Sequence, residues 1–173
     1  MPKNWITRDF ALDTDPVVLA NIIERLRGTP ARVEERVGRL HAEILTRQPS
    51  GAWSIQENLG HLLDLEPLWT RRVAEFEAGG AKVLSAADMS NQATVAARHN
   101  DRPMDELLRD FRRARGVLVS AFERVPEPVQ SRTALHPRLQ KPMRLVDLAV
   151  FIAEHDDHHL ARITALLSVL GGG

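Results

Sequence analysis

Leu145-Val146-Asp147-Leu148-Ala149-Val150-Phe151-Ile152-Ala153-Glu154-His155-Asp156-Asp157-His158-His159-Leu160-Ala161-Arg162-Ile163 sets the period of this chain. Its seam runs Leu145, Leu148, Ile152, His155, His159, Ile163, Leu166 and Leu170, in steps of three or four. That spacing is one face of an α-helix over about 144–170. No run in the chain alternates by two, as a half-buried strand would.

The same period recurs upstream. A helix over about 103–125 has the seam Met104, Leu108, Phe111, Arg115, Leu118, Phe122 and Val125. Another, over about 53–79, has the seam Ile55, Leu59, Leu62, Glu66, Trp69, Val73 and Phe76. It opens on Ser54 with Glu57 three residues later, the spacing of a capping box. Before it, Val18, Leu19, Ile22, Ile23 and Leu26 give a short helix over about 15–27. Gly28-Thr29-Pro30 then breaks the chain and restarts it over about 30–47, through Val33, Val37, Leu40, Ile44 and Leu45. The expectation is an all-α, single-domain protein over 1–173. Its four bundle helices lie at about 30–47, 53–79, 103–125 and 144–170, with the short N-terminal helix outside the bundle.

Two stretches, 80–101 and 126–143, read as irregular, the first with a helical turn at Thr94–Arg98. The longest helix is about 39 Å long. The 80–101 connection can span that length and leave its flanking helices parallel.

Composition narrows the chemistry. The chain has 173 residues, 23 Lys+Arg against 23 Asp+Glu, 7 His and no Cys. Disulfides, thiolate metal sites and cysteine nucleophiles are excluded. Balanced charge argues against a nucleic-acid-binding surface. No apolar run approaches a membrane span and no signal-like segment opens the chain, so a soluble, cytoplasmic protein is expected.

The informative residues are polar ones on apolar seams. His155 and His159 stand one turn apart where the pattern asks for Leu or Ile. Two imidazoles so spaced can share a divalent metal. The plainer alternative is a pair of hydrogen-bonded core histidines. A third ligand would come from His41, His61, His99, His136 or His158. His61 is the best placed, beside the seam of its helix and next to Gly60, which permits close approach of a neighbour. His158 is rotated off the seam toward Glu154 and Arg162. His41 reads as surface, and His99 and His136 lie in the irregular stretches. Glu66 and Arg115, each at mid-seam, are expected to form one buried ion pair; the alternative is an acid/base or anion-binding pair in a pocket. Arg138, Lys141 and Arg144 lie in a cationic loop that either faces solvent or binds a carboxylate or phosphate.

Trp53-Ser54-Ile55-Gln56-Glu57-Asn58-Leu59-Gly60-His61-Leu62-Leu63-Asp64-Leu65-Glu66 resembles the Trp-Ser-x-x-Glu-x-x-x-His-Leu-x-Asp-x-Glu stretch of the DinB-like (YfiT-like) superfamily. His155-Asp156-Asp157-His158-His159 resembles that family's last-helix His-x-x-His-His signature, and the likeness extends from about Leu26 to Leu167. The resemblance implies an up-down-down-up four-helix bundle with long crossover connections. It also implies a divalent metal, nickel or zinc, on His61, His155 and His159, and a homodimer, for which the short first helix would offer a packing surface. A three-histidine ion keeps open positions and can activate water or a small thiol. The expected function is therefore a metal-dependent enzyme acting on a small electrophile, as the family's thiol S-transferases do. Metal-dependent hydrolysis and non-catalytic metal binding in a stress response are the alternatives. Asp64, one turn from His61, and Asp156, beside the histidine pair, are candidates to orient an imidazole or move a proton.

Overall fold

The computed structural model describes residues 5–79 and 82–170. Four long helices build it: α1 (Leu19–Val37), α3 (Ile55–Ala78), α5 (Met104–Arg124) and α7 (Leu145–Leu170). Short helices α2 (Ala42–Thr46), α4 (Gln92–Ala96) and α6 (Glu127–Gln130) lie in the connections. So does a hairpin of β1 (Thr133–His136) and β2 (Lys141–Arg144).

The directions of the helices follow from which ends meet. Glu34 pairs with Arg112 and Arg27 with Glu123, so α1 and α5 are antiparallel. Asn58 meets His159 while Trp69 meets Phe151, so α3 and α7 are antiparallel. Arg25 reaches Glu154 and Arg32, two turns later, reaches Asp157, placing α1 parallel to α7. Gln56, in the first turn of α3, bonds the carbonyls of His99 and Arg102 just before α5, so those two helices start together. The order is up-down-down-up, as expected, and the 79–103 connection makes the crossover.

The α3 termini obey local rules. Ser54 Oγ accepts from Glu57 N at 3.0 Å while the Glu57 carboxylate accepts from Ser54 N at 2.7 Å, completing the capping box. Gly79 closes the helix at φ 66°, a left-handed conformation that glycine adopts without strain. Arg132 donates to the carbonyls of Phe76 and Glu77 there.

The core is split by a polar layer, one residue from each long helix. Thr29, Glu66, Arg115 and Asp156 are all buried. On one side pack Leu26, Trp69, Leu118 and Ile152; on the other, Val33, Leu62, Phe111 and Ile163. Arg115 Nε and Nη2 donate to Glu66 Oε1 at 3.0 and 2.6 Å. Its Nη1 and Nη2 also bond the Asp156 carboxylate, and Thr29 Oγ1 donates to Asp156 Oδ2 at 2.8 Å. The expected Glu66–Arg115 pair therefore forms, with Asp156 as an unforeseen third member.

Two expectations are corrected. Gly28-Thr29-Pro30 does not break the chain: α1 runs through Pro30 and ends before Gly38, so there is no separate helix at 15–27 outside the bundle. Pro30 removes the N–H that would bond the Leu26 carbonyl, and Arg115 Nη1 supplies that bond at 3.1 Å instead. The expected helix over 30–47 is thus the second half of α1, a turn at Gly38, and α2. The 126–143 stretch is also not wholly irregular. It holds α6 and the antiparallel hairpin, which pairs Ala134 with Met143 and His136 with Lys141. Leu135, opposite Pro142, bonds Lys82 O and Leu84 N instead, so the missing proline N–H leaves nothing unpaired.

Among the described residues, no helix is long and apolar enough to cross a membrane.

Candidate metal centre

Antiparallel α3 and α7 bring His61 against His155 and His159. One nitrogen of each ring lies within 4.8 Å of the others, and all three side chains are buried.

Hydrogen bonds fix two tautomers. Asn58 Nδ2 donates to Ser54 O at 2.7 Å, so Asn58 Oδ1 faces His159 and accepts from its Nδ1–H at 2.9 Å. Thr94 Oγ1 donates its one proton to Asp64 Oδ2 at 2.7 Å. It must then accept from His61 Nδ1–H, 3.0 Å away. Both rings are left with an unprotonated Nε2. His155 Nδ1 is buried with no partner among the described residues. Two rings with a free lone pair and a third ring whose Nδ1 has no partner, packed this closely, fit a divalent ion.

Electrostatics agree. Burial pushes His61 down to about 4, against the opposing pull of Asp64. Burial holds His155 and His159 well below the usual imidazole range, and neighbouring imidazoles add to it. All three are neutral at pH 7, the form that binds metal. Burial alone would raise the Asp64 carboxyl, but hydrogen bonds from His99 and Thr94 outweigh it and hold Asp64 low. His99 Nε2 lies 2.9 Å from Asp64. Gly60 makes this possible, because any Cβ there would overlap the His99 ring.

A cavity of about 610 Å³ opens onto the histidines. All three tryptophans of the chain line it. Trp53 tilts on His61 at 4.9 Å between ring centres, and Trp5 and Trp69 present edges to His155 at 5.0 and 5.9 Å. The half-buried His158 also lines it, edge-on to His159 at 5.2 Å.

The chain matches the DinB superfamily family model over residues 25–163. It belongs to the DinB superfamily. No curated protein matches it. Among solved structures, this DinB chain is similar to YfiT from Bacillus subtilis, described as "a probable metal-dependent hydrolase with an unusual four-helix bundle topology". The two share 17% identity over 95% of this chain and 94% of that one, with a TM-score of 0.78. It is also similar to a mycothiol-dependent maleylpyruvate isomerase, at 10% identity and a TM-score of 0.67. That match covers 83% of this chain and 59% of the isomerase.

The other sequence candidates are dispersed. Asp64 supports His61 through Thr94. Asp156 faces Arg115 and Thr29 in the polar layer and makes no hydrogen bond to the three histidines. Arg138 lines the cavity, but Lys141 bonds Asp9 and the Phe10 carbonyl, and Arg144 bonds Asp147 and the Thr14 carbonyl. His99 and His136 are buried, and His41 is exposed. Sequence reasoning missed Asn58, Thr94, Arg72 and the tryptophans. Asn58 carried a usable signal: an amide three residues before a candidate ligand, on an inward helix face.

Proposed function

We propose that this DinB protein is a metal-dependent enzyme that holds one divalent ion, nickel or zinc, on His61, His155 and His159. The observation that carries this reading is the tight buried triangle of neutral imidazoles opening on a cavity. An ion held there supplies positive charge that polarises an oxygen or sulfur ligand and lowers its proton affinity. Asn58 and the Thr94–Asp64 pair hold two of the rings through Nδ1, leaving their Nε2 lone pairs free for the ion. Trp5, Trp53 and Trp69 exclude water and give the reactants an apolar wall. His158, neutral and at the cavity wall, can take up a proton.

The reaction we favour is attack of a small thiol on an electrophilic substrate. Among the described residues, the cavity's lining carboxylate is Asp88, exposed and engaged with Ser90. Among the described residues no buried carboxylate lines the cavity to serve a water nucleophile, whereas a thiol cosubstrate brings a better nucleophile with it. The name of the mycothiol-dependent isomerase supports a thiol; the description of YfiT supports hydrolysis as the second reading, with His158 as base. A cytoplasmic homodimer is part of the proposal. The dimer rests on the family resemblance alone, since the helix expected to offer its surface lies inside the bundle.

The test is turnover of a panel of small electrophiles by metal-loaded protein, with and without low-molecular-weight thiols. Thiol-dependent turnover lost in His61→Ala supports the reading. Thiol-independent hydrolysis shifts it to the second. No turnover of any electrophile or ester by the loaded protein contradicts both.

A further inference from the structure

Arg72, His136 and Arg138 line the same cavity as the three histidines. Arg72 is 1% exposed and reaches in from α3, its Nε and Nη2 held by the Ser85 carbonyl at 2.9 and 2.7 Å. Its Nη1 points at His136 Nε2, 3.3 Å away. The other nitrogen of that ring, Nδ1, accepts from the Leu139 backbone N–H at 3.1 Å. The Leu139 N–H and the Arg72 guanidinium can only donate, and a neutral imidazole has one acceptor nitrogen, so in either tautomer one ring N–H faces a donor. Burial and the charges of Arg72 and Arg138 push His136 down to about 3, so the ring is neutral. Arg138 gives Nη1 to the Ile6 carbonyl at 2.7 Å, while its buried Nη2 has no partner among the described residues.

Neither guanidinium has a carboxylate partner among the described residues. The nearby Glu75 carboxylate is occupied by the backbone N–H and hydroxyl of Ser85. Phe151 gathers the group: the His136 ring centre lies 4.8 Å from it and the Arg138 guanidinium 5.7 Å over its face. Arg72 stacks on Trp69 at 5.1 Å, and Trp69 in turn contacts both Phe151 and His155. A buried guanidinium, a half-buried one with a buried unpartnered Nη2, and a donor-against-donor contact are costly unless an acceptor completes them. An anionic oxygen in the cavity does so.

We propose that Arg72, His136 and Arg138 form an anion subsite that takes a carboxylate of the small-molecule substrate and turns its other end toward the three histidines. The substrate's orientation rests on the function proposed above; the anion binding does not. A planar carboxylate, with two oxygens, suits the remaining donors of two guanidinium groups and an imidazole against an aromatic floor.

The test is titration of metal-stripped protein with benzoate at low ionic strength, followed by calorimetry and tryptophan fluorescence, with inorganic phosphate as a comparison. Saturable benzoate binding is expected, weakened by about tenfold or more in Arg138→Met, the scale of one lost charge-assisted bond. His136→Phe keeps the ring packing, removes both ring nitrogens and is expected to weaken binding as well. Benzoate binding unchanged in both variants overturns the proposal. So does binding seen only after metal is restored, which would put the carboxylate on the ion, and so does phosphate binding more tightly than benzoate. Protein that takes up no metal yet binds benzoate through Arg138 supports the subsite and contradicts the proposed function, so the two fail separately.

Discussion

Arg115 donates through Nη1 to the Leu26 carbonyl at 3.1 Å, the carbonyl that Pro30 leaves without its helical N–H. One guanidinium thereby mends a helix and ties together a buried layer built from all four long helices. This explains how a charge can stand at mid-seam on α5 and how a proline can stand inside α1.

The repair predicts coupling between positions 30 and 115. Arg115→Met leaves two buried carboxylates without their cation and should destabilise the fold by about 3–5 kcal/mol. In a Pro30→Ala background the backbone N–H restored at that position can bond the Leu26 carbonyl directly. The same Arg115→Met change should then cost about 1 kcal/mol less, measured by urea unfolding in a double-mutant cycle. Additive effects would contradict the repair.

Glu66 predicts a pH dependence. One cation serves two carboxylates in a dry layer, and Asp156 takes more of the donors while Glu66 Oε2 has none. Burial, opposed by Arg115, pushes Glu66 up to about 7 from 4.5. The folded state therefore holds a proton that the unfolded state releases. Its stabilising contribution is complete below pH 4.5 and is lost as pH rises through about 7. Glu66→Gln imitates the protonated form, so it should gain on the wild type between pH 5 and pH 8, by on the order of 3 kcal/mol. A pH-independent difference in unfolding free energy would show that Glu66 is ionised throughout.

Gly60→Ala should invert the usual effect of that substitution. In an exposed helix interior alanine is favoured over glycine by about 1 kcal/mol. Here its Cβ would displace the His99 ring and loosen Asp64, Thr94 and His61 behind it. Helicity by circular dichroism should persist while the melting temperature and metal affinity both fall. A stabilised variant with unchanged metal affinity would contradict the packing.

How much of this was legible in the sequence depends on whether a feature is local or distant. The seams and the capping box at Ser54 are local patterns, so the long helices after residue 53 were readable. The break at Pro30 was misread because its remedy, Arg115, lies 85 positions further on, and no local pattern carries that contact. The hairpin was missed because its strands are four residues each and two of their positions are Ala134 and Pro142. Of the site, His155 and His159 stood out because they break an apolar stripe. Thr94 and Arg72 did not: one lies in a crossover loop, and the other is an arginine beside a seam whose burial only the folded chain reveals.

The bonds behind the histidines give a graded prediction. Thr94→Val and Asn58→Leu keep approximate shape but remove the acceptors that fix His61 and His159. Each should weaken metal binding by about 10–100-fold without abolishing it, as loss of a supporting bond does elsewhere. Competition with a chromogenic chelator measures this. Unchanged affinity in both variants would mean the rings are held by packing alone.

The central claim is tested most directly by elemental analysis of untagged protein, purified without nickel resin, dialysed, and compared with its His61→Ala, His155→Ala and His159→Ala variants. The account predicts about one divalent ion per chain in the wild type and sharp loss in each variant, as expected when three protein ligands share one ion. Full stoichiometric metal in all three variants, or none in the wild type after nickel or zinc is offered, would contradict it.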